Sequence, residues 1–398
     1  MKYRNYRLYF LGQLLSLSGT WMQSVALSWL VYKMTHSALM LGLVEGATLF
    51  PVMLFGLLGG WVADKADKKK ILLIAQLLSM CQAILLAVLT YTNQIEVWHC
   101  ICLALFIGTI NAFEIPCRQS FLPDLIERQD LVNAVSLNSS IFNGARIIGP
   151  AIAGIMVPLV GEASCFFLNA ASYLSTMVAY LLINATHGRD LPLDNKHGLR
   201  EAFDFILASP TIMRLLFLGS IVSLCGMNYN VLMPVFASDI LHGDVRTLAA
   251  LRSGAGLGAF AAALMLASRG KGEVLKLHIG YSTMLFSAFL IAFAWAQQYI
   301  YCQILIVFVG FFLTTQLSGG HSLIQLSAKD ELRGRVLSIY LIIMMGASPI
   351  GSFVIGWSAN KWGAPPVVTI CACICMLAGL IYSISARSER TVTPEGLT

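Results

Sequence analysis

Apolar runs of about 20 residues, separated by short polar breaks, return twelve times along the chain. The hydrocarbon core of a bilayer, roughly 30 Å thick, is crossed by about 20 helical residues, and lipid offers an open backbone no hydrogen-bond partner. The pattern therefore predicts twelve transmembrane helices, over 8–32, 38–63, 71–92, 97–117, 138–160, 164–186, 211–238, 247–268, 275–296, 300–325, 335–359 and 365–386. The breaks alternate in character. Lys2, Arg4, Arg7, Lys65, Lys68, Lys69, Lys70, Arg118, Arg128, Arg189, Lys196, Arg200, Arg269, Lys271, Lys276, Lys329, Arg333, Arg335, Arg387 and Arg390 fall on the side of the N-terminus. The opposite side keeps only Lys33, Arg246 and Lys361. Basic residues accumulate in cytoplasmic loops, so both chain ends are expected inside the cell. The outer turns, around 93–96, 161–162, 297–299 and 360–366, are too short to hold a folded domain. The first run is too long for a signal-peptide core and lacks a small-residue cleavage site, so it is expected to remain as a helix.

The pattern also repeats on a larger scale. Arg7-Leu8-x-Phe10-Leu11-Gly12-x-x-x-Ser16-Leu17-x-Gly19 returns as Arg214-Leu215-x-Phe217-Leu218-Gly219-x-x-x-Ser223-Leu224-x-Gly226, an offset of 207 residues. Two homologous halves are a common build of membrane transporters. The fold class expected is all-α integral membrane, with a six-helix half over 1–186, a cytoplasmic linker over 187–210 containing an amphipathic turn from Leu199 to Leu207, and a second six-helix half over 211–398 that ends in a short tail.

Composition narrows the function. With 57% hydrophobic and 12% charged residues and a mean hydropathy of +0.75, the chain is no soluble domain. Its formal charge of +6 is dispersed over short loops, which argues against nucleic acid as a partner. The ten cysteines lie in or beside apolar runs, so no disulfide framework is expected. His99-Cys100-x-Cys102 and Cys371-x-Cys373-x-Cys375 do not suit a metal, because a helix turns residues i and i+2 about 200° apart. There is no phosphate-binding glycine loop, zinc-protease motif or nucleophile constellation. The chain is thus expected to be no enzyme, to hold no cofactor and to draw its energy from an ion gradient.

Between the second and third segments stands Gly60-Trp61-Val62-Ala63-Asp64-Lys65-Ala66-Asp67-Lys68-Lys69. It resembles the Gly-x-x-x-Asp-Arg-x-Gly-Arg-Arg loop motif of the major facilitator superfamily, with Asp67 in place of the second Gly and Lys for Arg. In it Gly60 is expected to allow close helix approach, Asp64 to cap a neighbouring helix, and Lys65, Lys68 and Lys69 to meet anionic lipid. Further matches are Gly12-Gln13-Leu14, Trp29-Leu30-Val31-Tyr32, Arg118-Gln119-x-Phe121-x-Pro123-x-Leu125, Asn133-Ala134-x-x-Leu137-Asn138-Ser139, Ala145-Arg146-x-x-Gly149-Pro150-x-x-Ala153-Gly154 and Asp330-Glu331-Leu332-Arg333-Gly334-Arg335-Val336. Together they resemble the facilitator exporters that include enterobactin exporters and macrolide efflux pumps. Gly149, Pro150 and Gly154 also resemble the helix 5 motif of proton-coupled antiporters, which implies export; physically, the Pro bends the helix and the small residues allow tight packing.

Ionisable groups inside a membrane need a partner or a wet cavity. Glu45 reads either as a proton carrier at an outer gate or as a charge turned to a wet groove, and the repeat maps it onto Arg252. Glu114 and Arg146 are expected at matching depth, as a structural ion pair or as a titratable element; His321 is a further proton-relay candidate. By analogy with the superfamily the cavity is lined by segments 1, 4, 7 and 10, with Trp21, Gln23, Asn111, Phe113, Asn228, Tyr229, Asn230 and His321 as candidates. Aromatic and amide groups suit an amphipathic organic molecule. The resemblance implies a monomeric exporter in a bacterial inner membrane, with a siderophore or drug-like substrate exchanged for protons. A lipid or lysophospholipid flippase with a lateral opening, and a non-transporting sensor or assembly partner, are the alternatives.

Overall fold

The computed structural model describes residues 3–184, 199–268, 272–329 and 331–392. Among them every regular element is helical. α1 (Arg4–Thr35), α2 (Ala38–Lys65), α3 (Lys68–Tyr91), α4 (Val97–Phe121), α5 (Leu131–Val160) and α6 (Glu162–Leu182) form the first half. A short α7 (Leu199–Ala208) lies within the linker, whose residues 187–198 fall outside the described residues, and buries Ala202 and Ile206. The second half is α8 (Pro210–Ile240), α9 (Val245–Ser268), α10 (Gly272–Trp295), α11 (Tyr299–Ser327), α12 (Arg333–Trp362) and α13 (Ala364–Val392).

Eleven of these helices are long and apolar enough to cross a membrane. α1 has the length, 32 residues, but not the apolarity. Its polar Gln13, Ser16, Ser18 and Gln23 are buried, because α1 packs between α5 and α6, while Leu11 and Leu15 stay exposed.

Local chemistry sets the ends. The Ser37 hydroxyl accepts from the Met40 amide at the start of α2, and the Asp67 carboxylate accepts from Lys69 and Lys70 at the start of α3, each satisfying donors that the first helical turn leaves open. His99 Nδ1 accepts from the Glu96 amide, 3.0 Å away, where α4 begins. Gly161 and Gly363 turn the chain between α5 and α6 and between α12 and α13 with φ of +81° and +84°, backbone that glycine adopts without strain.

The repeat is visible in the packing. In the first half α1 lies against α5 and α6, α2 against α4, and α3 against α4 and α6; in the second half α8 lies against α12 and α13, α9 against α11, and α10 against α11 and α13. One element breaks the symmetry. α1 is continuous, whereas α8 passes through a π turn (Val222–Gly226), a 3₁₀ stretch (Met227–Leu232) and a second π turn (Phe236–Ile240). Such turns leave the regular hydrogen-bond ladder, and the Asn228 side chain answers by donating to the carbonyls of Ser223 and Leu224.

The halves meet along two crossings, α2 with α12 and α5 with α9. A Cβ on Gly42 would overlap the Ser352 carbonyl, one on Gly356 would lie 2.7 Å from the Ala38 carbonyl, and one on Gly154 would lie 2.7 Å from the Ala249 Cβ. Four hydrogen bonds between described residues join the halves. Tyr32 donates to Asp239, and Ser37 to Asn360 at 3.0 Å, at the end of the bundle away from the chain termini. At mid-depth Arg252 donates to Ser24 and Ser253 to the Ile147 carbonyl. The contacts thus close the bundle at its far end.

Candidate functional site

Directly beneath that closure two arginines reach α1. Arg146, midway along α5, lies over the Trp21 ring at 5.6 Å, and Trp21 meets Phe142 edge to face at 5.7 Å. Arg252 on α9 donates from Nη1 to Ser24 Oγ at 2.9 Å, while its Nε is buried with no hydrogen-bond partner. Neither arginine forms an ion pair with a described carboxylate. The helices are locked in this register because Ser253 bonds the Ile147 carbonyl and Gly256 leaves its Cβ space to the Arg146 carbonyl. Arg252 lies within the electrostatic reach of Glu45 and Arg146, and buried Tyr229 within that of both arginines. Glu45 itself is exposed on α2. The repeat-matched acid and base thus face the same region from opposite halves.

Glu114 is not part of this group. It is buried near the end of α4 and pairs with Arg118 one turn on, Oε1 to Nε at 3.3 Å. Arg118 also donates to Gln13 at 3.1 Å, and Gln13 to the Tyr180 hydroxyl at 2.9 Å. The expected pairing with Arg146 therefore does not occur: Arg146 is committed to the Trp21 face, and an i, i+4 partner lies closer on Glu114's own helix. The loop after α2 also differs from expectation. Gly60 has nothing near its Cβ position; it is Gly59 whose Cβ would overlap the Ala112 carbonyl of α4. Asp64 is exposed and caps no helix among the described residues, while Asp67 holds the α3 terminus. Lys68 reaches Asp124 and the Ser120 carbonyl, both at 3.0 Å, and Lys69 reaches the Ile183 carbonyl at the end of α6 at 2.8 Å. These two lysines bind protein rather than standing free for lipid; Lys65 lies over Trp61. Nearby, the Tyr3 hydroxyl donates to Asp130 at 2.8 Å, and that bond to a carboxylate pushes the phenol up to about 12.

The family described as transmembrane secretion effector matches residues 1–393. The chain belongs to that family, within the major facilitator superfamily. Among curated proteins it is 29% identical to a staphyloferrin A transporter of Staphylococcus aureus, with 89% of each chain covered. It is 24% identical to macrolide efflux protein A of Streptococcus pyogenes over 96% of this chain and 98% of the other. An enterobactin exporter of Salmonella choleraesuis is 23% identical, over 88% and 84%. Among solved structures, the inward-facing, unoccupied form of a bacterial homologue of the human lysosomal transporter Spinster superposes with a TM-score of 0.78 at 13% identity, covering both chains fully. The protein is an integral membrane transporter of facilitator type and not an enzyme.

Against the facilitator frame, several expected cavity residues prove to be framework. Gln23 is buried, donating to Gln82 at 3.3 Å and accepting from Asn169 at 2.8 Å, inside the first half. Asn228 is buried with its oxygen taken by Ser348 and Ser352 and its amide by two backbone carbonyls, so no valence is left for a ligand. Asn230 donates to the Met227 carbonyl. Trp21 belongs to the arginine group. Asn111, Phe113 and His321 are half-buried without a hydrogen bond or ring contact among the described residues. Of the α5 motif, Gly149 sits on the α1 backbone at Ser18 and Met22, Pro150 is buried beside it, and Gly154 meets α9, so the motif makes both helix crossings that hold Arg146 in place. The composition of α5 gave that signal; the role of Ser24 as an arginine ligand had none.

Proposed function

We propose that this transporter is a secondary active exporter that carries an amphipathic small organic molecule out of a bacterial cytoplasm by alternating access, in exchange for protons. Both termini lie on the cytoplasmic side of the inner membrane, following the basic-residue asymmetry, so the closed far end is the outer gate. The single observation that supports the reading best is the arginine and tryptophan group held at mid-depth under that gate, where a molecule entering from the cytoplasm meets charge and aromatic surface together. The named activities of the relatives, siderophore transport and drug efflux, are of the same kind. Protons enter through carboxylates at two levels: Glu114, held by Arg118, and exposed Glu45. Protonation releases the Arg118 pair or raises the charge of the arginine group, and a few kcal/mol of such bias reverses a two-state population.

The test is uptake into inverted vesicles under an imposed pH gradient. Accumulation that collapses with the gradient, and that Glu114→Gln or Glu45→Gln loses while keeping downhill exchange, is the expected outcome. Accumulation indifferent to the gradient overturns proton exchange.

One observation favours a second reading. A crevice of about 530 Å³ opens sideways between α5, α9 and α11, with Leu159, Ala249, Leu257 and Gln303 on its walls. A lipid or lysophospholipid flippase would use such an opening, and movement of a labelled lysophospholipid independent of the pH gradient would select it.

A further inference from the structure

The arginine group carries more than a place for a substrate. Trp21 and Ser24, the α1 residues that Arg146 and Arg252 reach, are three positions apart. On a helix that spacing puts them on one face, about one turn from each other. Two guanidinium groups therefore reach residues about one turn apart on the same face of α1, from helices fixed to each other by the contact of Ser253 with Ile147 and of Gly256 with Arg146. Their present partners are neutral. Arg252 spends one donor on a hydroxyl and leaves Nε buried and unbonded, and Arg146 meets only an aromatic face. Elsewhere in the bundle a half-buried arginine has an acid: Arg118 has Glu114. Here an exposed carboxylate, Glu45, acts on Arg252 from a distance, and among the described residues it forms an ion pair with neither arginine. Both arginines are half-buried; a guanidinium withdrawn from water without an anion is costly, and an arrangement that keeps two of them unpaired is built to receive an anion.

We propose that Arg146 and Arg252 form an anion subsite that takes two carboxylates of an organic polyacid, an inference that rests on the transporter reading above. Carboxylates match the forked donors of arginine. The α1 residues that the two groups reach lie about a helical turn apart, a spacing that suits two carboxylates on one carbon chain better than a single compact phosphate, which would need both forks to converge. Trp21 and Phe142 supply an apolar wall beside the charges for the rest of the molecule. Glu45 is then a built-in competitor at the rim, opposing the ligand's charge.

The experiment is calorimetric titration of the purified full chain in detergent with propane-1,2,3-tricarboxylate, with its trimethyl ester and with inorganic phosphate. Saturable binding of the tricarboxylate is expected, none of the ester, and weaker binding of phosphate. Arg146→Gln and Arg252→Gln each weaken tricarboxylate binding at least tenfold, while Glu45→Gln strengthens it severalfold, a gain that a misfolded variant cannot mimic. The proposal is overturned if wild type shows no saturable tricarboxylate binding, if phosphate binds more tightly, or if folded arginine variants and Glu45→Gln all bind as wild type does. Binding is read here without transport, so a chain that binds the tricarboxylate through both arginines yet moves nothing in vesicles upholds the subsite and sinks the exporter reading.

Discussion

At the scale of single residues, adjacent positions in one motif carry opposite constraints. Gly59 faces α4 so closely that any side chain must displace the Ala112 carbonyl, while Gly60 looks into open space. Gly59→Ala is therefore expected to cost about 1–3 kcal/mol, the usual range for overpacking. Gly60→Ala should be neutral or gain up to about 1 kcal/mol from helix propensity. Thermal unfolding in detergent checks both, and equal melting temperatures for the two variants would dissolve the distinction. The same lesson applies to the polar residues. Depth in the membrane can be read from sequence, and Gln23, Asn228 and Arg146 do lie inside the bundle. Direction around the helix cannot be read so easily, because an amide that faces a neighbouring helix has the same sequence surroundings as one that faces a cavity. Glu114 is a different case: Arg118 at i+4 was in plain view as its partner.

At the scale of elements, most of the twelve apolar segments were legible to within a few residues of their ends, and the breaks at Ser37, Asp67, Gly161 and Gly363 coincide with a cap or a turn glycine; α5 begins at Leu131, seven residues before the apolar run does. α8 was the exception. Its hydropathy matches that of a regular span, yet Gly226, Asn228 and Asn230 fall within its irregular turns, and Ser348 and Ser352 hold the Asn228 side chain that bridges them. The repeat also promised more likeness than the packing keeps: Gly12 lies against α6, whereas its counterpart Gly219 lies against Met344 of α12. The loop between α2 and α3 allows a direct check. Asp67 accepts two amide bonds at the α3 terminus, so Asp67→Ala is expected to lower stability by about 1 kcal/mol. Asp64→Ala, with no partner to lose among the described residues, should leave the melting temperature unchanged. A loss confined to the Asp64 variant would move the cap to the residue the family motif suggested.

At the scale of the molecule, closure of the far end depends on few polar bonds. The Tyr32 hydroxyl on Asp239 is a bond to a carboxylate between the halves, of a kind worth about 1.5–3 kcal/mol. Its removal in Tyr32→Phe should shift the ratio of closed to open far end by roughly ten- to hundredfold, since 1.4 kcal/mol is about a factor of ten. Spin labels at exposed Met34 and Lys361, which flank the closure on opposite halves, are expected to show a longer separation gaining population in that variant. An unchanged distance distribution would mean that the helix crossings alone hold the end shut.

Those crossings have an evolutionary side. Where α2 meets α12, backbone lies on backbone at Gly42, Ala38, Ser352 and Gly356, so the joint parts and re-forms with no large side chains to reorder. It also offers mutation no small steps, because the first added carbon at Gly42 or Gly356 already collides. A lineage adjusting how readily this gate opens is left with its periphery, the Tyr32 and Asp239 bond and the Ser37 and Asn360 bond, where single substitutions change the strength of the closure and leave its shape alone.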